Sequence, residues 1–349
     1  MLLSVSNTFP FKSSREVSMY AIQMQDITKT FHGAYANKNV SLQVEQGEIH
    51  SLLGENGAGK TTLMKILFGL YKADKGTIYI NEKKVSIRSP HDAIGYGLSM
   101  VHQHFVLVNN LTITENIILG HEPRRGLFLD RSAAHRKVEA LINQYHFSLD
   151  PESRIESLSV GEKQKVEILK ALYNESSILL LDEPTAVLTP QEVQELFVML
   201  KQLREDGKTI IIITHKLKET LAIADRVTIL RRGENIATLP AKQATEGKLA
   251  ELMVGRPISF EVDRKTFEEE NPVKLSLKGI TLKRKTRQLL TDVNLECRAG
   301  EILGIAGVEG NGQTELIEVV TGISGNFTGQ LCCDSTPIQA ITPGRCWIT

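Results

Sequence analysis

Nowhere do the 349 residues of this chain line up the roughly 20 apolar residues that a bilayer-spanning helix requires. Apolar runs such as VTIL, ILLL and TIIII fall far short of that length. Cysteine is missing until Cys297, and the four present (Cys297, Cys332, Cys333 and Cys346) lack zinc-ligand spacing with histidine. They read as reduced and unligated, with a cytosolic location. Net charge is also lacking: 41 Lys plus Arg against 41 Asp plus Glu gives 41 − 41 = 0. With no excess of positive charge, a polyanion-binding surface is not expected, and no nucleic-acid partner is assigned. The opening MLLSVSNTFPF is apolar but has neither a basic flank nor a full hydrophobic centre, so it is not read as a signal peptide. Met19 is an alternative start, because the periodic segment YAIQMQDITKTF follows it directly.

What the chain does have is a duplication. GENGAGKT, residues 54 to 61, fits G-x-x-x-x-G-K-[ST] at every fixed position. GVEGNGQT, residues 307 to 314, repeats its glycines but carries Gln313 in place of the lysine. Aligning NVSLQVEQGEIHSLLGENGAGKTTLMKILFGL with DVNLECRAGEILGIAGVEGNGQTELIEVVTGI needs no gap. Gly47, Gly54, Gly59 and Gly69 fall on Gly300, Gly307, Gly312 and Gly322, with one offset, 307 − 54 = 253. The repeat is of domain size, longer than a solenoid period. The chain length suits about two domains of roughly 150 residues.

Residues 1–19 are read as an N-terminal extension and 20–254 as a first nucleotide-binding domain. The stretch 255–273, GRPISFEVDRKTFEEENPV, holds two prolines and an EEE run and is read as a linker. Residues 274–349 form a partial second copy, with no counterpart to residues 158–215. Its LCCDSTPIQAITPGRCWIT is expected to be irregular. In the first domain, SSILLLDEP and KTIIIITH are apolar without alternation, as parallel strands covered on both faces are. PQEVQELFVMLKQLREDG between them reads as a helix, with Pro190 in its first turn and Gly207 at its end. The fold class is α/β.

The first Gly-rich loop is preceded by strand-forming EIHSLL and followed by helix-forming TTLMKILFGL, the context such a loop requires. Its main-chain N–H groups can wrap phosphates, and Gly54, Gly57 and Gly59 let the backbone approach closely. The nucleotide-holding run is Gly54, Glu55, Asn56, Gly57, Ala58, Gly59, Lys60, Thr61 and Thr62. Lys60 would reach β- and γ-phosphate oxygens, and Thr61 would ligate Mg²⁺. At the end of the buried ILLLDEP strand, Asp182 can hold Mg²⁺ through water and Glu183 can accept a proton from attacking water.

LSVGEKQKVEILKAL resembles the signature, usually LSGGQ, of the ATP-binding cassette (ABC) family. Leu158, Ser159 and Gly161 agree, while Val160 and Glu162 depart; alone, the segment reads equally well as a helix cap. The resemblance implies a P-loop NTPase ABC cassette with an antiparallel β subdomain and a helical signature subdomain, followed by a partial second cassette. It implies ATP and Mg²⁺ as cofactors, with Lys60, Glu183 and His215 catalytic, and Ser159 and Gly161 meeting nucleotide held by another cassette. By the same resemblance Gln103 sits in a loop touching Mg²⁺ or water, and Phe31 stacks on adenine. His102 and His104 flank Gln103 but lack a third ligand, so no metal site is assigned to them.

Thr189, in PTAVLTP, stands where many members carry aspartate. That feature, the tandem cassettes and the lysine-less second loop look like the ATPases of simple sugar and nucleoside importers. MVHQHFVLVNNLTITENIILG is similar to the nucleoside-type subgroup. Implied partners are integral-membrane permease subunits docked near residues 103–120, a substrate-binding lipoprotein, and a second ABC cassette. The implied location is the cytoplasmic face of the cell membrane, as a peripheral protein. The second loop would hold ATP without hydrolysing it, and the chain is expected to be a truncated or frame-disrupted form. Two other readings stand beside this one. A soluble tandem-cassette factor acting on ribosomes would carry a long, charged helical linker, which 255–273 does not resemble. A non-catalytic remnant would bind ATP only.

Overall fold

The computed structural model describes residues 19–126, 128–257, 271–284, 287–307, 310–334 and 336–338. All of the N-terminal extension but Met19, and most of the expected linker, lie outside these. The described residues fall into two compact units, divided between Ile258 and Ser259.

In the first unit, β1 (Tyr20–Phe31) and β2 (Ala34–Glu45) form a hairpin. With β4 (Lys75–Ile80) and β5 (Lys83–Val85) they make an antiparallel sheet of order β2-β1-β4-β5. A second sheet contains β3 (Ile49–Leu53), β6 (Leu98–Val101), β9 (Ile178–Asp182), β10 (Thr209–Thr214), β11 (Arg226–Arg231) and β12 (Glu234–Pro240). Its order is β12-β11-β3-β10-β9-β6, parallel except for β12. A two-strand ribbon, β7 (Arg124–Arg125) and β8 (Phe128–Leu129), lies apart from both.

Every residue of β9 and β10 is buried, and successive side chains go to opposite faces. On one face Leu180, Ile211 and Ile213 share a core with Leu63, Met64 and Leu67 of α1 (Lys60–Leu67). On the other, Leu179, Leu181, Ile210 and Ile212 meet Leu196, Phe197 and Leu200 of α6 (Pro190–Glu205). Each such side chain contributes roughly 1.5–3 kcal/mol by leaving water, which explains the unbroken apolar runs in the sequence. The chain enters α6 through a capping box between Thr189 and Glu192, with Pro190 in the first turn as expected.

A third core joins α3 (Ile113–Ile118), α4 (Arg131–Gln144) and α5 (Val160–Tyr173) through Ile113, Ile117, Val138, Ile142, Val166 and Leu169. Shorter helices α2 (Pro90–Gly95), α7 (Leu217–Ile223) and α8 (Glu246–Val254) complete the unit. No helix among the described residues is long and apolar enough to cross a membrane.

The second unit holds β13 (Val273–Arg284), β14 (Arg287–Arg298), α9 (Gln313–Val320), β15 (Phe327–Cys333) and β16 (Thr336–Pro337). Its sheet order is β14-β13-β15-β16. Tyr20 pairs with Glu45 and Val273 with Arg298; Ile22 pairs with Ile80 and Leu275 with Cys333. All four partners shift by 253 (273 − 20, 298 − 45, 275 − 22, 333 − 80), so the repeat extends to strand register. One expectation is corrected here: Leu331, Cys332 and Cys333 close a regular strand, with Leu331 in the core, and are not irregular. In contrast, residues 301–307, which align with β3, form no strand, and Ile302 is 98% exposed where Ile49 is 0% exposed.

Candidate functional site

The register of the parallel sheet brings the functional loops to one edge. Thr214 lies level with Leu53, Ile213 with Asp182, and Val101 with Leu181. The segments leaving the carboxyl ends of β3, β9, β10 and β6 therefore converge, as ligand-binding loops do in open α/β sheets. Those after β3, β9 and β6, with Ala36 of β2, border a cleft of ≈ 310 Å³ lined by Asn56, Gly57, Ala58, Gly59, Lys60, Thr61, Thr62, Gln103, Glu183 and Ala36.

Gly57 and Gly59 have φ of +80° and +97°, values that favour glycine, and a Cβ on Gly59 would lie 2.3 Å from the Ala36 carbonyl oxygen. Lys60, the first residue of α1, is buried. Its Nζ donates to the main-chain oxygens of Gly54 at 2.7 Å and Glu55 at 2.9 Å. Burial lowers its pKa, and the nearby carboxylates of Glu183 and Asp182 oppose that effect. Thr61 Oγ1 donates to Asp182 Oδ1 at 3.4 Å. A hydroxyl beside a buried carboxylate is a hard-oxygen donor set that suits Mg²⁺, which takes one or two protein oxygens and completes its shell with water and phosphate. The residues present fit that ion.

Glu183 has φ +47°, the left-handed region that a side chain with a Cβ seldom occupies. Its N–H donates to the Ile213 oxygen at 2.9 Å, which holds the strained turn in place. Its two carboxylate oxygens face different partners: Oε1 is 3.0 Å from His215 Nδ1, and Oε2 accepts from Gln103 Nε2 at 3.4 Å. The sequence-predicted Glu183, His215 and Gln103 thus meet at one carboxylate on the rim of the phosphate loop. Strain at a polar residue in a cleft is a mark of a functional position.

Gly54, Glu55, Asp182 and His215 adjoin the lining through the contacts above, whereas Phe31, Ser159 and Gly161 make none of those contacts, as the resemblance implies for the last two, which would meet nucleotide held by another cassette. Phe31 is not in the cleft lining; its ring packs edge-on against Tyr71, with centroids 5.3 Å apart. Ser159 and Gly161 are also outside it. Ser159 caps α5 by accepting from Glu162 N–H, and Glu162 accepts from Ser159 N–H in return, so the departure at Glu162 completes a capping box. Gly161 abuts Glu192 of α6, where an added Cβ would lie 2.3 Å from the carboxylate. His102 packs edge-on against Phe68 and its pKa is lowered by burial.

This architecture has counterparts. Residues 37–186 match the ABC transporter family. The chain is 49% identical over 328 residues to the guanosine import ATP-binding protein NupO of Bacillus subtilis, covering 93% of this chain and 64% of that protein. It is 48% identical over 311 residues to the nucleoside import ATP-binding protein NupA of Lactococcus lactis, covering 89% and 61%. This chain carries an ABC transporter ATP-binding domain. The fold of a nucleotide-free ATP-binding cassette from an ABC transporter superposes with a TM-score of 0.60 at 24% identity, covering 68% of this chain and 96% of that one. The chain spans less than two thirds of the length of the two import proteins.

In the cassette domain, Asp182 carries a testable electrostatic consequence. Its pKa is raised, chiefly by burial and also by the neighbouring Glu183, against a lowering contribution from Thr61. A carboxyl whose folded pKa exceeds its unfolded one binds more protons when folded. Stability is therefore fully present below the ordinary value of 3.8 and is lost as pH rises through the elevated one. Asp182→Asn should remove that loss. Thermal melts of the ligand-free protein from pH 4 to 8 should show the variant gaining on the parent as pH rises, while its Mg²⁺-dependent ATP affinity falls. A constant difference across the range would contradict the assignment.

Proposed function

We propose that this chain binds MgATP and hydrolyses it as the energy-coupling subunit of an importer for nucleosides or simple sugars. One observation carries the catalytic part: Glu183 sits at the rim of the phosphate loop, held at its two oxygens by His215 and Gln103. Water placed between Glu183 and the γ-phosphate would be oriented or deprotonated by that carboxylate for in-line attack. Lys60 and His215 would stabilise the developing charge on the phosphoryl oxygens. Thr61 and Asp182, with Gln103 nearby, would hold Mg²⁺, whose charge neutralises the phosphates when bound. The names of the two import proteins support nucleosides as the cargo class. Permease subunits would meet the surface around residues 103–120, where Val106 and Val108 are exposed. A substrate-binding lipoprotein would belong to the same system. The domain would sit at the cytoplasmic face of the membrane.

Because Ser159 and Gly161 lie outside the cleft, we infer that a second cassette supplies the signature opposite the phosphate loop. Hydrolysis should then need two chains. Orthophosphate release per milligram of purified chain should rise with protein concentration before reaching a plateau. Specific activity that stays flat on dilution would show that one chain suffices and defeat the shared-site arrangement. Absence of ATP binding would remove the whole reading.

A further inference from the structure

We propose that Asn37 is a positioning residue for the phosphate loop: by holding the Gly59 carbonyl, it aims the Lys60 main-chain N–H at the β-phosphate of a bound nucleotide. This rests on the ATP reading above and adds a residue from outside the loop.

Asn37 lies in β2, fully buried behind the cleft, and its Nδ2 donates to the Gly59 oxygen at 3.1 Å. A carbonyl oxygen only accepts, so the amide orientation is dictated by its partner. The same oxygen accepts from Leu63 N–H at 3.0 Å, and these two donors fix the Gly59–Lys60 peptide plane. In a trans peptide the C=O and the next N–H point in opposite directions, so clamping the Gly59 oxygen on the β2 side turns the Lys60 N–H away from that side. Main-chain N–H groups of this loop type cradle the α- and β-phosphates.

Two further observations argue that Asn37 is more than packing. Its Oδ1 is buried without a hydrogen-bond partner among the described residues, an arrangement that weakens the fold and that an aliphatic side chain would avoid. The second copy takes that alternative. Position 37 + 253 is Leu290, also buried, and an added Cβ on Gly312 would lie 2.9 Å from Leu290 Cδ2, just as one on Gly59 would lie 2.7 Å from Asn37 Nδ2. The glycine before each helix has the same left-handed backbone, with φ of +97° at Gly59 and +99° at Gly312. Thus the copy that has glutamine for lysine also has leucine for the amide clamp.

The test compares the full chain with its Asn37→Leu variant by titrating ATP, ADP and AMP and by thermal melting without nucleotide. We expect ATP and ADP to bind roughly threefold to tenfold more weakly, one hydrogen bond's worth, with AMP unchanged and the melting temperature equal or higher. A purely structural asparagine would lower the melting temperature and leave the ADP to AMP affinity ratio unaltered, which overturns the proposal. An equal loss for all three nucleotides overturns it too. If Asn37→Leu does not fold, Asn37→Ala removes the donor without adding bulk, and the same ratio decides. A parent chain that binds neither ATP nor ADP refutes the ATP reading and this inference together; normal binding by parent and variant alike refutes this inference alone.

Discussion

Replacing Glu183 with Gln should leave MgATP affinity close to that of the parent and lower hydrolysis by roughly 10²- to 10⁴-fold, the usual range for loss of a general base. The change preserves side-chain length and keeps an oxygen and an amide within reach of His215 and Gln103, both of which already contact this side chain. Binding should therefore be spared, because the groups proposed to hold the phosphates lie in the 56–62 stretch of the cleft lining, which the change leaves intact. Proton acceptance is lost because a neutral amide does not take the proton of attacking water. Single-turnover hydrolysis measured beside equilibrium ATP binding separates the two effects. Undiminished turnover would move the catalytic role away from Glu183.

Lys60→Ala should have the opposite profile: binding itself is weakened. Hydrogen bonds to charged groups contribute about 1.5–3 kcal/mol, so removing the ammonium should weaken MgATP binding by roughly 10- to 150-fold. Hydrolysis should fall further, since the same charge would stabilise the transition state. The substitution also leaves the Gly54 and Glu55 carbonyls without the donor they now share. A destabilisation of about 1–3 kcal/mol in the ligand-free protein follows if those oxygens stay away from water. Calorimetric titration with MgATP, together with denaturant unfolding, reads both consequences. Affinity unchanged by the loss of Lys60 would leave the phosphate loop without its assigned cation.

The two loops of this chain show how far a local pattern reaches. Gly57 and Gly310 have φ of +80° and +86°, and each loop leads into a helix of eight residues, so the glycine spacing sufficed to specify these left-handed positions and the helix start twice. The same was true of β9, β10 and α6, whose apolar runs, capping residues and terminal glycine are local signals. Asn37 gave no such signal. It lies 22 residues before Gly59 and reads as a polar residue in a strand until the sheet packs against the loop. Nor did local pattern show the contact of Phe31 with Tyr71, which joins the end of β1 to the segment after α1.

Residues 301–307 mark the boundary most sharply. They match the β3 segment in glycine position and apolar character, yet only Ile49–Leu53 forms a strand. A central strand satisfies its N–H and C=O groups through neighbours on both sides, and β3 has β10 and β11. Among the described residues, no strand pairs with 301–307 on either side. Phosphate-loop form, strand character and helix ends could be read from neighbouring residues because they depend on φ, side-chain alternation and capping within a few positions. The meeting of Glu183 with His215 and Gln103 and the tie from Asn37 depend on sheet order and register. Those arise from pairing between segments remote in the chain, where packing decides which groups come within a hydrogen bond of each other.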